Sequence, residues 1–146
     1  MIGFGFLFAL ANLSASDVPR SPLVEPDHVH EWKQVILDDQ SIVWFDDAYL
    51  PDFQHENGLY PVVLIRGIEI EGNRLARSMD MKLAVDCEGL KLAPLDAWFQ
   101  EAGAETGTRD SPRPVRFRPI DRFPRQLGEP AFSKACGPYA ESPFAR

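Results

Sequence analysis

The chain has 146 residues, of which 45% are apolar and 25% charged, and 22 acidic residues outnumber 15 basic ones for a net charge of −7. This length suits one domain rather than two, and the composition is close to the globular average, which argues against disorder over the whole chain. The negative charge also argues against nucleic acid as a partner, because a phosphate backbone would repel it.

Residues 1–16 are predicted to be a signal peptide. They read MIGFGFLFALANLSAS, an apolar run followed by small residues, which is the pattern of a secretory leader with cleavage after Ala15 or Ser16. The alternative is an apolar N-terminus that is disordered or packed. The run is too short to span a bilayer, and no membrane span is predicted later in the chain. Residues 17–29 contain three prolines and are predicted to be an extended linker.

The first predicted strands form a hairpin. Residues 32–37 and 41–45 are rich in β-branched and aromatic residues, and a polar Asp-Asp-Gln stretch separates them. Residues 46–60 are mixed and polar, with an Asn-Gly pair, and are predicted to be a loop with a turn. Residues 61–70 are predicted to form a long central strand, ended by a Glu-Gly-Asn turn.

The second half of the chain continues the meander. Residues 74–87 alternate apolar and polar side chains, which predicts a strand with one face in the core. Residues 90–99 are predicted to be the next strand, with an edge or a bulge at Pro94. Residues 102–114 are predicted to be a flexible loop, and residues 115–118 a short strand. Short turns between these segments favour antiparallel neighbours.

A short helix is predicted at residues 130–136, because Pro130 suits a first helical turn and Gly137 suits the position after the last one. Phe132 and Cys136 lie four residues apart and share one side of this helix. Cys87 lies on the apolar face of its strand, so a Cys87–Cys136 disulfide would hold the helix against the sheet. The alternative is two buried free thiols.

The predicted fold is therefore α+β, mainly β: an antiparallel meander sheet of about six strands with a short C-terminal helix stapled across one face. The single β-rich domain is predicted to span residues 30–138, followed by a flexible tail at residues 139–146. The sheet face opposite the helix is predicted to be available for contacts.

The order of these elements resembles the surface-adhesin protein E family of small exported bacterial proteins. Four segments between residues 30 and 138 carry the resemblance: Trp32 with Val35, then Val43-Trp44-Phe45-Asp46, then Arg77-Ser78 leading to Val85-Asp86-Cys87, and finally residues 127–136. The resemblance implies the same stapled sheet, and a binding role on the cell envelope without catalysis. The chain departs from the family's pattern in lacking a lipobox cysteine and a serine after the proline in its last segment.

Two histidines form a candidate metal site. His28 and His30 would share one face of an extended segment and could ligate zinc or copper. A carboxylate could complete the set if the first hairpin folds back. The candidates are Asp38, Asp39, Asp46 and Asp47. The alternative is that these side chains are solvated polar residues that precede the first strand.

Charge is unevenly distributed along the chain. Residues 17–106 contain 7 basic and 18 acidic residues, whereas residues 107–146 contain 8 basic and 4 acidic ones. Five arginines cluster within thirteen positions, and such a group can bind phosphates, carboxylates or an acidic partner. They are Arg113, Arg116, Arg118, Arg122 and Arg125. The alternative is that they pair with the excess of acidic groups in the same domain.

The expected function is that of an exported, non-catalytic binding module or accessory subunit of the bacterial envelope, periplasmic or secreted. Its expected partner is an unknown protein or an anionic envelope ligand, with no cofactor. The second hypothesis is a periplasmic metal-binding protein that uses His28, His30 and nearby carboxylates. No nucleophilic triad or phosphate-binding loop is evident in the sequence.

Overall fold

A computed structural model describes residues 13–137, and these form one antiparallel sheet with a helix at the C-terminal end. Its eight strands lie in the spatial order β1-β2-β4-β5-β6-β7, with β3 paired to β4 and β8 paired to β6. The strands are β1 (Trp32–Leu37), β2 (Ser41–Asp46), β3 (Asp52–His55), β4 (Gly58–Glu71), β5 (Arg74–Asp86), β6 (Lys91–Glu101), β7 (Thr108–Asp110) and β8 (Arg118–Pro119). The helix is α1 (Arg125–Cys136). The predicted fold class is confirmed.

Three short segments differ from the prediction. Strand β3 lies within the stretch that was expected to be a loop, because its four residues pair with the start of β4 across a two-residue turn. Strand β7 likewise lies in the expected flexible loop and pairs with the end of β6. The strand expected at residues 115–118 is wrong except at its last residue, Arg118, which begins β8. The described residues therefore hold eight strands instead of about six.

Two local signals are confirmed. Gly72 and Asn73 both have positive φ, of 54° and 64°, as a two-residue turn between the twisted strands β4 and β5 requires. Pro94 lies at a register shift between β5 and β6, where Leu83 faces Pro94. A proline has no N–H to donate, so an irregular position in the ladder accommodates it.

One face of the sheet packs against α1. Phe132 and Ala131 of the helix are buried against apolar side chains of four strands. Those strand residues are Phe45, Val63, Ile65, Leu83, Val85 and Leu92. They occupy alternate positions along each strand, which is the consequence of the two-residue period of extended backbone.

The helix begins earlier than predicted, at Arg125 rather than Pro130. Pro124 takes the position before the first helical residue, and its carbonyl accepts hydrogen bonds from the N–H groups of Leu127 and Gly128. Pro130 thus lies inside the helix, where it removes one internal hydrogen bond. Burial of Gly128, Ala131 and Phe132 against the sheet offsets that loss.

The opposite face is covered by residues 13–30, which we call the strap. Ala15 and Val18 pack in a buried cluster with Ile42, Trp44 and other residues of this face, and Leu23 is only 1% exposed. This burial corrects three predictions: the linker at residues 17–29, the domain start at residue 30 and the open sheet face. The strap is not extended, because it contains a short 3₁₀ helix and two hydrogen-bonded turns, and its apolar side chains are buried on the sheet.

A buried polar network fastens the strap. Arg66 and Asp80 face each other on β4 and β5, and Arg66 Nε donates to Asp80 Oδ1 at 2.8 Å. The remaining guanidinium nitrogens donate to the carbonyls of Ala15 and Pro19, both at 2.9 Å. The hydroxyl of Ser21 donates to Asp80 Oδ2. Each charge is thus hydrogen-bonded, as burial of an ion pair requires.

The predicted cleavage positions, Ala15 and Ser16, lie within the strap, where Ala15 is 2% exposed. Residues 1–12 of the predicted signal peptide and the predicted tail at residues 139–146 lie outside the described residues. Within residues 13–137, none of the helices has the length and apolar character needed to cross a membrane.

Candidate functional site

The disulfide predicted from strand and helix periodicity is present. Cys87 and Cys136 are bonded, with their Cα atoms 5.6 Å apart, an ordinary separation for a disulfide. Cys87 directly follows β5, and Cys136 is the last residue of α1. The bond therefore fixes the end of the helix to the end of a central strand, and the alternative of two free thiols is wrong.

The five arginines of the basic segment, which we call the arginine edge, are all exposed. Arg116 and Arg118 flank Phe117, whose ring lies 4.5 Å from the ring of Tyr60 and is partly buried. Phe117 therefore holds this segment against the sheet, whereas Arg116 and Arg118 are exposed. The strand face from which Arg116 and Arg118 were expected to point is not present, because residues 115–117 are not a strand.

The members of the arginine edge differ in their contacts. Arg125 pairs with Glu129 on the same helix at 2.8 Å, and Arg113 donates to the carbonyls of Leu95 and Pro112 at 3.2 and 2.7 Å. Among the described residues, Arg116, Arg118 and Arg122 take part in no ion pair and no side-chain hydrogen bond. The alternative of pairing within the domain thus applies only to Arg125.

Other basic residues of the sheet are paired. Arg109 Nε donates to Asp96 Oδ1 at 3.0 Å, and Arg77 donates to Glu69 at 2.8 Å. Partial burial would raise the pKa of Asp96, but hydrogen bonds from Arg109 and Ser111 outweigh it and hold that pKa below its ordinary value. Internal pairing is therefore available to arginines of this domain, whereas Arg116, Arg118 and Arg122 have neither an ion pair nor a side-chain hydrogen bond within residues 13–137.

Both histidines of the predicted metal site meet a carboxylate. His30 Nδ1 lies 2.6 Å from Asp46 Oδ2, and His28 Nε2 lies 3.5 Å from the same oxygen. One ligand atom from each of His28, His30 and Asp46 lies within 4.8 Å of the others. We call these three residues the histidine cluster. The alternative of solvated side chains is not what the geometry shows, because His30 is 13% exposed and the Asp46 side chain 0%.

The other candidate carboxylates have different roles. Asp38 accepts hydrogen bonds from the backbone N–H groups of Gln40 and Ser41, which lower its pKa and stabilise the β1–β2 turn. Asp47 accepts a hydrogen bond from Lys134 of α1 at 2.7 Å, and this bond holds the pKa of Asp47 below its ordinary value. Asp39 is exposed and has no place in the cluster.

Sequence reasoning missed the backbone contributions to the histidine cluster. The carbonyl of Glu25 lies 3.0 Å from His30 Nε2, and the ring of His30 stacks on Trp32 at 5.2 Å. A backbone carbonyl leaves no signature in a sequence, because every residue has one. Only the folded strap brings residue 25 back to residue 30.

A groove of about 750 Å³ runs between β1 and α1. Val35, Ile36 and Phe45 form its apolar floor, and Arg125 and Glu129 lie on its helical rim. Its lining is mixed in polarity, and no buried titratable group points into it.

Comparisons with protein-family models, with curated proteins and with solved structures found no match.

Proposed function

We propose that this chain is an exported, non-catalytic protein of the bacterial envelope that acts as a binding module or accessory subunit, and that its arginine edge holds an anionic partner. The observation that carries the proposal is the state of Arg116, Arg118 and Arg122: each is exposed, and none has an ion-pair partner within residues 13–137. An acidic domain offers many internal partners for arginine, so cations left facing solvent are available to an external anion.

The chemistry of guanidinium sets the class of partner. Its planar fork matches the oxygens of phosphate, sulfate and carboxylate groups in a bidentate manner, whereas an ammonium acts as a point charge. The arginine edge contains five arginines and no lysine. The backbone at this position is held by Phe117, so the cations on either side of it are presented from a fixed base.

Export is supported by the disulfide. Disulfides persist in oxidising compartments such as the periplasm and the cell exterior, and are rare in the cytosol. Together with the leader-like sequence of residues 1–16, the Cys87–Cys136 bond favours passage through the inner membrane. The resemblance to the surface-adhesin protein E family favours the same location.

The binding claim is tested on a heparin column, whose sulfated polysaccharide is a fixed polyanion. The wild type should be retained at low salt despite its net charge of −7. The double variant Arg116→Gln/Arg118→Gln should elute without retention. The matched control, Arg77→Gln/Arg109→Gln, has the same change in net charge but alters arginines that are already paired, so it should elute as the wild type does. If the two variants eluted alike, specific binding of the polyanion by the arginine edge would be refuted.

The export claim is tested by the intact mass of the full-length product recovered from the envelope fraction of a bacterial host. We expect the loss of an N-terminal leader and of the two hydrogens removed by the Cys87–Cys136 bond. An unprocessed and reduced protein in the cytoplasm would contradict export and would leave the heparin result unaffected.

A further inference from the structure

The histidine cluster is assembled from two separate parts of the chain. His28 and His30 belong to the C-terminal end of the strap, and Asp46 is the last residue of β2. Trp32 follows His30 by two residues and lies opposite Asp46 in the β1–β2 ladder. The pairing of the hairpin therefore brings the three side chains of the cluster together. Whatever binds here therefore joins the strap to the sheet.

Asp46 is oriented like a ligand. Its Oδ1 accepts hydrogen bonds from the backbone N–H groups of Glu31 and Ala48, at 2.9 and 3.0 Å. These two bonds fix the carboxylate plane and leave Oδ2 directed at both imidazoles. Metal-binding carboxylates are commonly held by hydrogen bonds in this way, because fixing the ligand reduces the entropy lost on binding.

His30 is oriented as a ligating histidine is. Its Nε2 faces the carbonyl oxygen of Glu25 at 3.0 Å, and a carbonyl can only accept a hydrogen bond. Nε2 therefore donates a hydrogen bond to this carbonyl, and Nδ1 is the nitrogen that faces Asp46 and that a metal ion would take. A ligating histidine typically donates its other N–H to a backbone carbonyl or a carboxylate, as here.

His28 supplies the observation that a simple ion pair leaves unexplained. Its Nε2 is a buried atom and makes no hydrogen bond among the described residues. The distance of 3.5 Å to Asp46 Oδ2 exceeds that of a good hydrogen bond. A buried nitrogen without a partner is costly, and a cation between it and the other two ligand atoms would satisfy it.

We propose that His28, His30 and Asp46 bind one divalent transition-metal ion of the zinc class, through two imidazole nitrogens and one carboxylate oxygen. Around a tetrahedral ion with bonds of about 2.0 Å, ligand atoms lie roughly 3.3 Å apart. The two distances to Asp46 Oδ2, of 2.6 and 3.5 Å, bracket that value, and all three ligand atoms lie within 4.8 Å of one another, so an ion would draw the two imidazoles closer together. The ion displaces the proton between His30 Nδ1 and Asp46 Oδ2, which passes to solvent. His28 is 29% exposed and provides the path of entry.

The donor set also decides against other cations. Calcium and magnesium prefer oxygen ligands, and two of the three donors here are imidazole nitrogens. The proposed site goes beyond the anion-binding role and does not depend on it. Its effect on the molecule is to clip the strap to the end of β2.

The test is a calorimetric titration of ZnCl₂ into tag-free full-length protein that has been stripped with a chelator. We expect one equivalent of Zn²⁺ to bind, and His28→Gln to weaken the affinity at least about tenfold. His28 is the residue to change because its Nε2 makes no hydrogen bond, so the metal-free variant should unfold at the same urea concentration as the wild type. That measurement separates loss of a ligand from loss of the fold.

The matched control is His55→Gln, which removes the third histidine of the chain, outside the cluster, and should leave Zn²⁺ affinity unchanged. Saturating Zn²⁺ should also raise the unfolding temperature of the wild type and of His55→Gln, but not of His28→Gln, because binding to the native state alone stabilises it. Absence of one-equivalent binding, equal affinity of His28→Gln and wild type, or equal binding of Ca²⁺ would each overturn the proposal.

Discussion

The two faces of the sheet are covered by different means. On one face, α1 packs apolar side chains against the strands, and a disulfide fixes its end. On the other, the strap has little regular structure and is fastened by hydrogen bonds to a buried Arg66–Asp80 pair and by the His30–Asp46 contact. The first cover is apolar and covalent, whereas the second combines buried apolar side chains with polar contacts that must all be satisfied.

This difference explains why the helical cover could be predicted from the sequence and the strap could not. A helix that packs on a sheet shows period, caps and, here, a cysteine in a matching position. A strap has no period, because its hydrogen bonds come from backbone carbonyls of Ala15 and Pro19 rather than from characteristic side chains. Its prolines are equally typical of a linker.

The largest effect is expected from Asp80→Asn, which leaves the guanidinium of Arg66 buried at 3% exposure without its counter-ion. Loss of one partner of a buried pair costs about 3–5 kcal/mol, and we expect the upper end because the strap contacts weaken as well. Urea unfolding measures this loss. The control is Glu69→Gln, which removes the acid of an exposed pair and should cost less than about 1 kcal/mol. Similar losses in the two variants would show that the buried network does not fasten the strap.

The next effect is expected on the other face, from Cys87→Ala/Cys136→Ala. The bond closes a loop with a sequence separation of 49 residues, and its loss should lower the free energy of unfolding by about 4 kcal/mol in the chain-entropy model. Reductant should destabilise the wild type by a similar amount and leave the double variant unchanged. Equal stability of the wild type with and without reductant would show that the helix face does not depend on its staple.

The smallest of the three effects distinguishes a strap from a linker. Leu23→Ala removes a side chain that is 1% exposed and should cost about 3 kcal/mol, whereas the same change in a linker would cost nothing. Val29→Ala is the matched control, because Val29 lies in the same segment but is 78% exposed and should change stability by less than about 0.5 kcal/mol. The free energy of unfolding of both variants is measured in denaturant. Equal values would support the predicted linker rather than a strap.

Much of the sheet could be predicted because alternation and turn residues act locally. The apolar alternation of β5 and the Gly72-Asn73 turn were sufficient for the central hairpin, and the position of Cys87 on its strand predicted the disulfide. Strands β3 and β7 have only four and three residues, too few to show a period. Their pairing depends on neighbours already in place.

The arginine edge and the histidine cluster also differ in how far the sequence could predict them. Arg116 and Arg118 were predicted on one face of a strand, whereas the structure exposes them on a segment that is not a strand before Arg118. The choice of Asp46 among four aspartates near His28 and His30 depends on the register of β1 against β2, with Trp32 opposite Asp46. The sequence therefore identified the four candidate aspartates but not the one that lies beside the two histidines.

Asp46 and Asp47 are neighbours in the chain, yet each serves a different cover. Asp46 contacts His30 of the strap, and Asp47 accepts a hydrogen bond from Lys134 of the helix. Asp46 ends β2 and Asp47 is the first residue after it, so this two-residue step holds a contact to each cover. A single inserted residue before it would exchange the two carboxylates and uncouple both covers at once.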